Sequence, residues 1–247
     1  TDGDSIVTDG DSIVTDGGRT PRYGATMLEN VMFALDLQTN EDGKIQTINH
    51  DDAALLDFIS DPGHHERIKA FAYSPQTKTL RYTQYADGHN GTGSVKSAKI
   101  LYRFPYEEKR ARMSTIVEMC EDQSVWMFCK GSASSLGTSP VVEDGDDDGE
   151  TTPTTATNIS MNCDFSGVYE RAEEETNKGS RLLFFTRVQV PPKYMKRLAG
   201  ASSDEDLCAI MEEIETKEFV GRPAFFSSAT QELQDGATEF VHGCHDR

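Results

Sequence analysis

No stretch of this sequence stays apolar for long. The longest uninterrupted runs, such as Val125-Trp126-Met127-Phe128-Cys129, fall far below the ~20 residues a membrane helix needs. No part of the chain is therefore expected to cross a bilayer as a helix. Apolar residues make up only 36% of the chain, which predicts that part of it is not packed. Positive charge is scarce as well: 24 Lys and Arg stand against 42 Asp and Glu, a formal net charge of −18. That balance argues against gripping nucleic acid through an overall positive field, while leaving room for a local basic pocket for a small anion. Cysteines are few and unpaired in spacing. Cys120, Cys129, Cys163, Cys208 and Cys244 form no Cys-x-x-Cys step, a pattern of reduced thiols and not of a disulfide framework. An apolar leader is also missing, and the first residue is Thr, which reads as an excerpt of something longer or as a processed product.

The 247 residues suffice for one ordinary domain or two small ones. Two segments read as unpacked. The first is a repeat of Thr-Asp-Gly-Asp-Ser-Ile-Val from Thr1 and again from Thr8. Gly and Asp in each unit disfavour a helix, and the spacing lacks the Glu of a calcium loop, so residues 1–24 are expected to form a flexible tail. The second spans about residues 132–159 and contains Glu143-Asp144-Gly145-Asp146-Asp147-Asp148-Gly149-Glu150. Like charges this dense repel one another, and nothing apolar offsets the ordering entropy. It reads as a disordered acidic insertion in a loop.

Between these segments the pattern is that of a folded domain. Met27, Leu28, Val31 and Leu35 lie at helical spacing. A second helix is expected to start near Asp51-Asp52, whose acids suit the positive end of the helix dipole, and to end at Pro62-Gly63. Strand-like runs follow at residues 68–73, 79–83, 98–104, 113–119 and 125–130, separated by short turns. A polar helix over residues 169–177 then stops at Gly179 and leads into a strand over residues 182–190. Ser202 followed by Glu205 predicts a capping box opening a helix to about Glu215. Strands joined by short turns imply an antiparallel sheet, and the expected class is α+β with helices on that sheet.

Residue chemistry alone says little. No nucleophilic triad declares itself. Gly91-Thr92-Gly93-Ser94 lacks the frame of a phosphate loop and is read as a hairpin turn. His64-His65-Glu66 and His242-Gly243-Cys244-His245 lack the two-pair spacing of structural zinc, and no metal site is assigned. The one local exception to the acidity runs from Lys99 to Arg112, where Lys99, Arg103, Lys109, Arg110 and Arg112 alternate with Tyr102, Phe104 and Tyr106. Cations beside aromatics suit a nucleotide, with a ring on the base and cations toward phosphate. An ordinary strand with a solvated charged turn is the competing reading.

Three ordered segments add weight to the first reading. Ile100-Leu101-Tyr102-Arg103-Phe104-Pro105-Tyr106 with Arg112-Met113-Ser114-Thr115-Ile116-Val117 resembles the adenine-binding strand region of P-type ATPases, with Tyr106 seven residues before Met113. Phe128-Cys129-Lys130-Gly131-Ser132 is similar to that family's Lys-Gly-Ala motif, and Lys178-Gly179-Ser180-Arg181-Leu182-Leu183 to its Gly-x-Arg step into a strand. Asp51-Asp52-Ala53-Ala54-Leu55 resembles the acidic helix start, and residues 219–247 the beginning of the return segment into a phosphorylation domain. Two positions depart from the family pattern: Ala111 and Glu108 stand where a cation is usual.

The resemblance implies a nucleotide-binding domain over residues 25–218 that delivers ATP, with Mg²⁺ in the complete enzyme, to an Asp in another domain of the same pump. It implies that Tyr106 stacks on adenine, that Arg112 and Met113 belong to the same strand step, and that Lys130 approaches base or phosphate. It further implies that Gly131 admits the base to the backbone, Arg181 meets the β-phosphate region and Asp52 accepts from the adenine amino group. The expected partners are ATP and the remaining pump domains, at the cytosolic face of a membrane, with no nucleic acid and no catalytic residue in this chain. The pattern is nearest to the fifth class of these pumps, with the lipid-flipping class second. A non-catalytic acidic interaction module, or a degenerate nucleotide-binding fragment, is the alternative.

Overall fold

The computed structural model describes residues 25–47, 50–60, 68–85, 93–136, 169–177, 179, 181–220, 224–229 and 240–241. The repeat tail, the helix stop at Pro62-Gly63, both His motifs and residues 137–159 of the acidic insertion lie outside the described residues.

Apolar spacing in the first segment folds as helix α1 (Ala25–Phe33), followed by a small hairpin of β1 (Leu37–Thr39) and β2 (Ile45–Thr47). Helix α2 (His50–Ser60) carries Asp51 and Asp52 in its first turn, where carboxylates oppose the positive end of the helix dipole. Strands β3 (Ile68–Ser74), β4 (Thr79–Tyr85), β5 (Gly93–Glu107), β6 (Arg112–Met119) and β7 (Val125–Gly131) follow. The short helix α3 (Ala133–Leu136) and the polar helix α4 (Tyr169–Asn177) precede β8 (Arg181–Gln189). Gly179 after α4 has φ +86°, a conformation glycine adopts without the Cβ penalty. Helices α5 (Pro192–Ala199) and α6 (Asp204–Glu218) lead to β9 (Ala224–Ala229) and β10 (Phe240–Val241).

Strands β3 to β10 form one eight-stranded antiparallel sheet in which each strand lies beside its neighbour in sequence. The class is α+β, as the strand-and-turn pattern predicts. Successive side chains on a strand point to opposite faces, and both faces of this sheet are covered. Phe128, Val117 and Phe185 pack with α1 and α2 on one face, around Phe33, Leu35 and Leu55. Met127, Cys129, Ile116, Phe184 and Val188 pack with α5 and α6 on the other, around Tyr194, Leu198 and Ile214. Two-sided cover explains why β6 is buried from Arg112 to Val117 instead of alternating.

Two local expectations need correction. The β5 strand begins at Gly93, so Gly93 and Ser94 pair with Tyr85 and Gln84 and are not a turn. Val95 beside them is 61% exposed, and a solvated strand end leaves no apolar signature. The α6 cap is Ser203, whose side chain accepts from the Asp206 backbone N–H, while Asp206 reaches back to Ser202. The capping box is thus displaced by one residue. Residues 224–229 pair with β8 and belong to the same sheet as the rest of the domain. Among the described residues no helix is long and apolar enough to cross a membrane.

Candidate functional site

The β6, β7 and β8 strands set Met113, Lys130 and Phe185 side by side, Met113 opposite Lys130 and Lys130 opposite Phe185. Lys130 is only 6% exposed and forms an ion pair with Asp52 of α2, which is fully buried. The second carboxylate oxygen of Asp52 accepts from the Asp36 backbone N–H at 2.9 Å. Asp36 in turn receives Arg103 of β5 at 2.5 Å, and the same guanidinium donates to the Leu35 carbonyl at 3.2 Å. The start of α2, the segment after α1 and the central sheet are thereby fastened together around one buried carboxylate. A carboxylate at this depth requires such partners, because an uncompensated buried charge costs several kcal/mol.

Beside this ion pair opens a cavity of about 380 Å³, within the ~300–1,000 Å³ usual for small-molecule sites. It is lined by Asp51, Asp52, Tyr106, Ala111, Met113, Lys130, Gly131, Ser132, Leu182 and Leu183. Tyr106, 59% exposed, owes its place to a bulge. Phe104 pairs with Ser114 and Glu107 with Arg112, so Pro105 and Tyr106 together oppose the single residue Met113. Proline has no N–H for the ladder and is tolerated at such a bulge.

Gly131 shapes the cavity wall. A Cβ there would lie 2.6 Å from the Arg112 Cβ, 2.7 Å from the Ser135 Oγ and 2.8 Å from the Ala111 carbonyl oxygen. Ala111 itself has φ +50°, and its carbonyl accepts from the Ser132 N–H and the Ser135 hydroxyl, both at 3.1 Å. The β5–β6 turn is thus locked onto the end of β7, directly at the cavity.

Of the residues singled out in the sequence, Asp52, Tyr106, Met113, Lys130 and Gly131 line this one cavity. Arg112 does not. It precedes Met113 by one residue, so the pleat sends it to the opposite face, where its Nε donates to Glu215 of α6 at 2.8 Å. Arg110 also turns to Glu215, at 3.3 Å. Neither lines the cavity, and the basic stretch is not one continuous patch. Arg181 opens β8 opposite Ala229, next to the lining residues Leu182 and Leu183; its side chain lies outside the described residues. Asp51, Ala111, Ser132, Leu182 and Leu183 also line the cavity, and although the sequence segments above include them, they were not assigned to the site. Asp51 and the two leucines adjoin residues that were, but the left-handed turn that brings Ala111 inward has no sequence signal.

A second cavity of about 230 Å³ opens elsewhere, bounded by Glu29, Lys96, Trp126 and Arg187. Glu29 accepts from Tyr82 at 2.9 Å, Arg187 at 3.3 Å and Lys96 at 3.4 Å. Burial, reinforced by the Glu29 carboxylate, pushes the Tyr82 phenol well above its usual range, and burial lowers the Arg187 guanidinium. These charges satisfy one another, and the cavity reads as a packing gap around an internal network. Among the described residues no group of three metal-ligating side chains occurs.

Neither a scan against protein-family models nor a comparison with curated proteins returns a match to this chain. The functional reading therefore rests on the residues and their geometry.

Proposed function

We propose that this domain binds ATP in the cavity between α2, the β5–β6 turn and the ends of β7 and β8, as the nucleotide-binding portion of a P-type ATPase. The observation that carries the reading is the convergence of Tyr106, Met113 and Lys130, which are scattered along the sequence, on one cavity with Asp52. An exposed tyrosine ring offers a π face to a purine. Met113 supplies a polarizable apolar surface beneath it, and Gly131 forms part of the wall with its backbone. The carboxylates of Asp51 and Asp52 can accept from an exocyclic amino group. Among the described residues of this lining Lys130 is the cation, and Mg²⁺ would arrive bound to the triphosphate oxygens. In a complete pump of the fifth class, domain closure would carry the γ-phosphate to an Asp in another domain.

Calorimetric titration of ATP into the folded chain tests this. Tyr106→Ala is expected to weaken binding about five- to tenfold, the scale of one base–aromatic stack, and Lys130→Ala to weaken it further by also stranding Asp52. Unchanged affinity in both variants would remove the site assignment, and absence of saturable binding would remove the nucleotide reading.

A further inference from the structure

Tyr106 stands on the face of the sheet that holds the cavity, yet what fixes its bulge lies on the other face. Residues 105–109 are all exposed, and Arg110 after them is buried. Its guanidinium lies 3.3 Å from the centre of the Phe104 ring. One terminal nitrogen points to the Pro105 carbonyl at 3.4 Å and to the Arg112 carbonyl at 3.2 Å. Those two carbonyls flank the bulge, one on each strand, where the ladder is interrupted. The other terminal nitrogen meets Glu215 of α6 at 3.3 Å.

Glu215 is fully buried and also receives Arg112 and the Ser114 hydroxyl. Its carboxylate thus holds one strand arginine, Arg112, and one turn arginine, Arg110, and through Arg110 the carbonyl of the residue just before Tyr106. We infer that Glu215 and Arg110 are positioning residues for Tyr106. The α6 carboxylate fixes the Arg110 fork, the fork spans the bulge, and the bulge aims the tyrosine ring at the cavity on the opposite face.

An arginine fork suits this task because it is planar and presents several donors in fixed directions. A lysine at position 110 would carry the charge, but its three donors radiate from a single nitrogen and do not reproduce two terminal nitrogens set apart in one plane. The consequence for ligands rests on the nucleotide reading, whereas the aim of the ring does not, and the two are separable by experiment.

The whole chain is labelled with 3-fluorotyrosine, and the Tyr106 fluorine resonance is assigned by its loss in Tyr106→Phe. Glu215→Gln and Arg110→Lys are then compared with the parent. The expected result is a shift or broadening of the Tyr106 resonance in both variants, with those of Tyr82 and Tyr194 in place. An unmoved Tyr106 resonance would overturn the inference, and so would an equal disturbance of all three, which would mark Glu215 as a general support of the fold. In ATP titrations Glu215→Gln is expected to lower affinity about fivefold or more, but to add no further loss in a Tyr106→Ala background. Additive losses would contradict positioning through the ring. If the parent fails to bind ATP while the fluorine result holds, the nucleotide reading falls and the positioning stands.

Discussion

Lys130 and Met113 face one another across a rung of β6 and β7, while Arg112, one residue earlier, lies on the far side of the sheet. At the scale of single residues this alternation decides what belongs to the cavity. Gly131, next to Lys130, is held by sterics: a side chain there would meet the Arg112 Cβ at 2.6 Å and the Ala111 carbonyl at 2.8 Å. Neither neighbour is the free end of a flexible chain. Gly131→Ala is therefore expected to destabilise the domain by about 1–3 kcal/mol, the usual cost of overpacking, measured by urea unfolding; a change within a few tenths would show that the turn yields easily. The spacing of Tyr106 before Met113 was legible in the sequence because it is a matter of counting. Which of Arg112 and Met113 faces the cavity was not, since a one-residue offset reverses the face and no motif states the register.

At the scale of elements strands β3 to β8 of the central sheet and helices α1, α2, α4 and α6 follow from periodicity and end signals. Those left unread lack either signal. Helix α5 is eight residues long, opens on Pro191-Pro192 and buries only Tyr194 and Leu198, so its apolar stripe is too short to count. The β5 bulge depends on which residue pairs with which across two strands, a fact local sequence does not hold. The α6 cap makes a direct test. Ser203 accepts from Asp206, and hydrogen bonds from Ser202 and then Ser203 hold the Asp206 carboxyl below its ordinary range. Ser203→Ala should cost about 1 kcal/mol, read as a lowered midpoint in denaturant. A carboxyl with a lowered folded value contributes stability above its unfolded pKa of about 3.9 and loses it as pH falls through the folded value. The melting difference between parent and Asp206→Asn should accordingly shrink below about pH 4. A difference constant down to acid pH would argue against the cap.

At the scale of the whole molecule the sheet separates two cores, and the cavity opens on the side of α2. The described flanks of the acidic insertion include Leu136 in α3 and Ala172 in α4, both packed into the core shared with α5 and α6. Deleting residues 143–150 should therefore leave ATP affinity unchanged. Loss of nucleotide binding on that deletion would favour the reading of the chain as an acidic interaction module. Exposed charges more than about 10 Å away are screened at ordinary ionic strength, so of the large negative charge the part that bears on an anionic ligand is that of the lining itself, where Lys130 stands with Asp51 and Asp52.

The central claim is that Tyr106, Lys130 and the start of α2 form one purine cleft, and covalent mapping tests it most directly. An azido-adenine analogue of ATP is bound to the folded chain, activated by light, and the modified peptides are identified by mass spectrometry. The account predicts labelling on the segments that carry Tyr106 and residues 130–132, suppressed by excess ATP. Labelling spread over other surfaces, or unaffected by ATP, would contradict it.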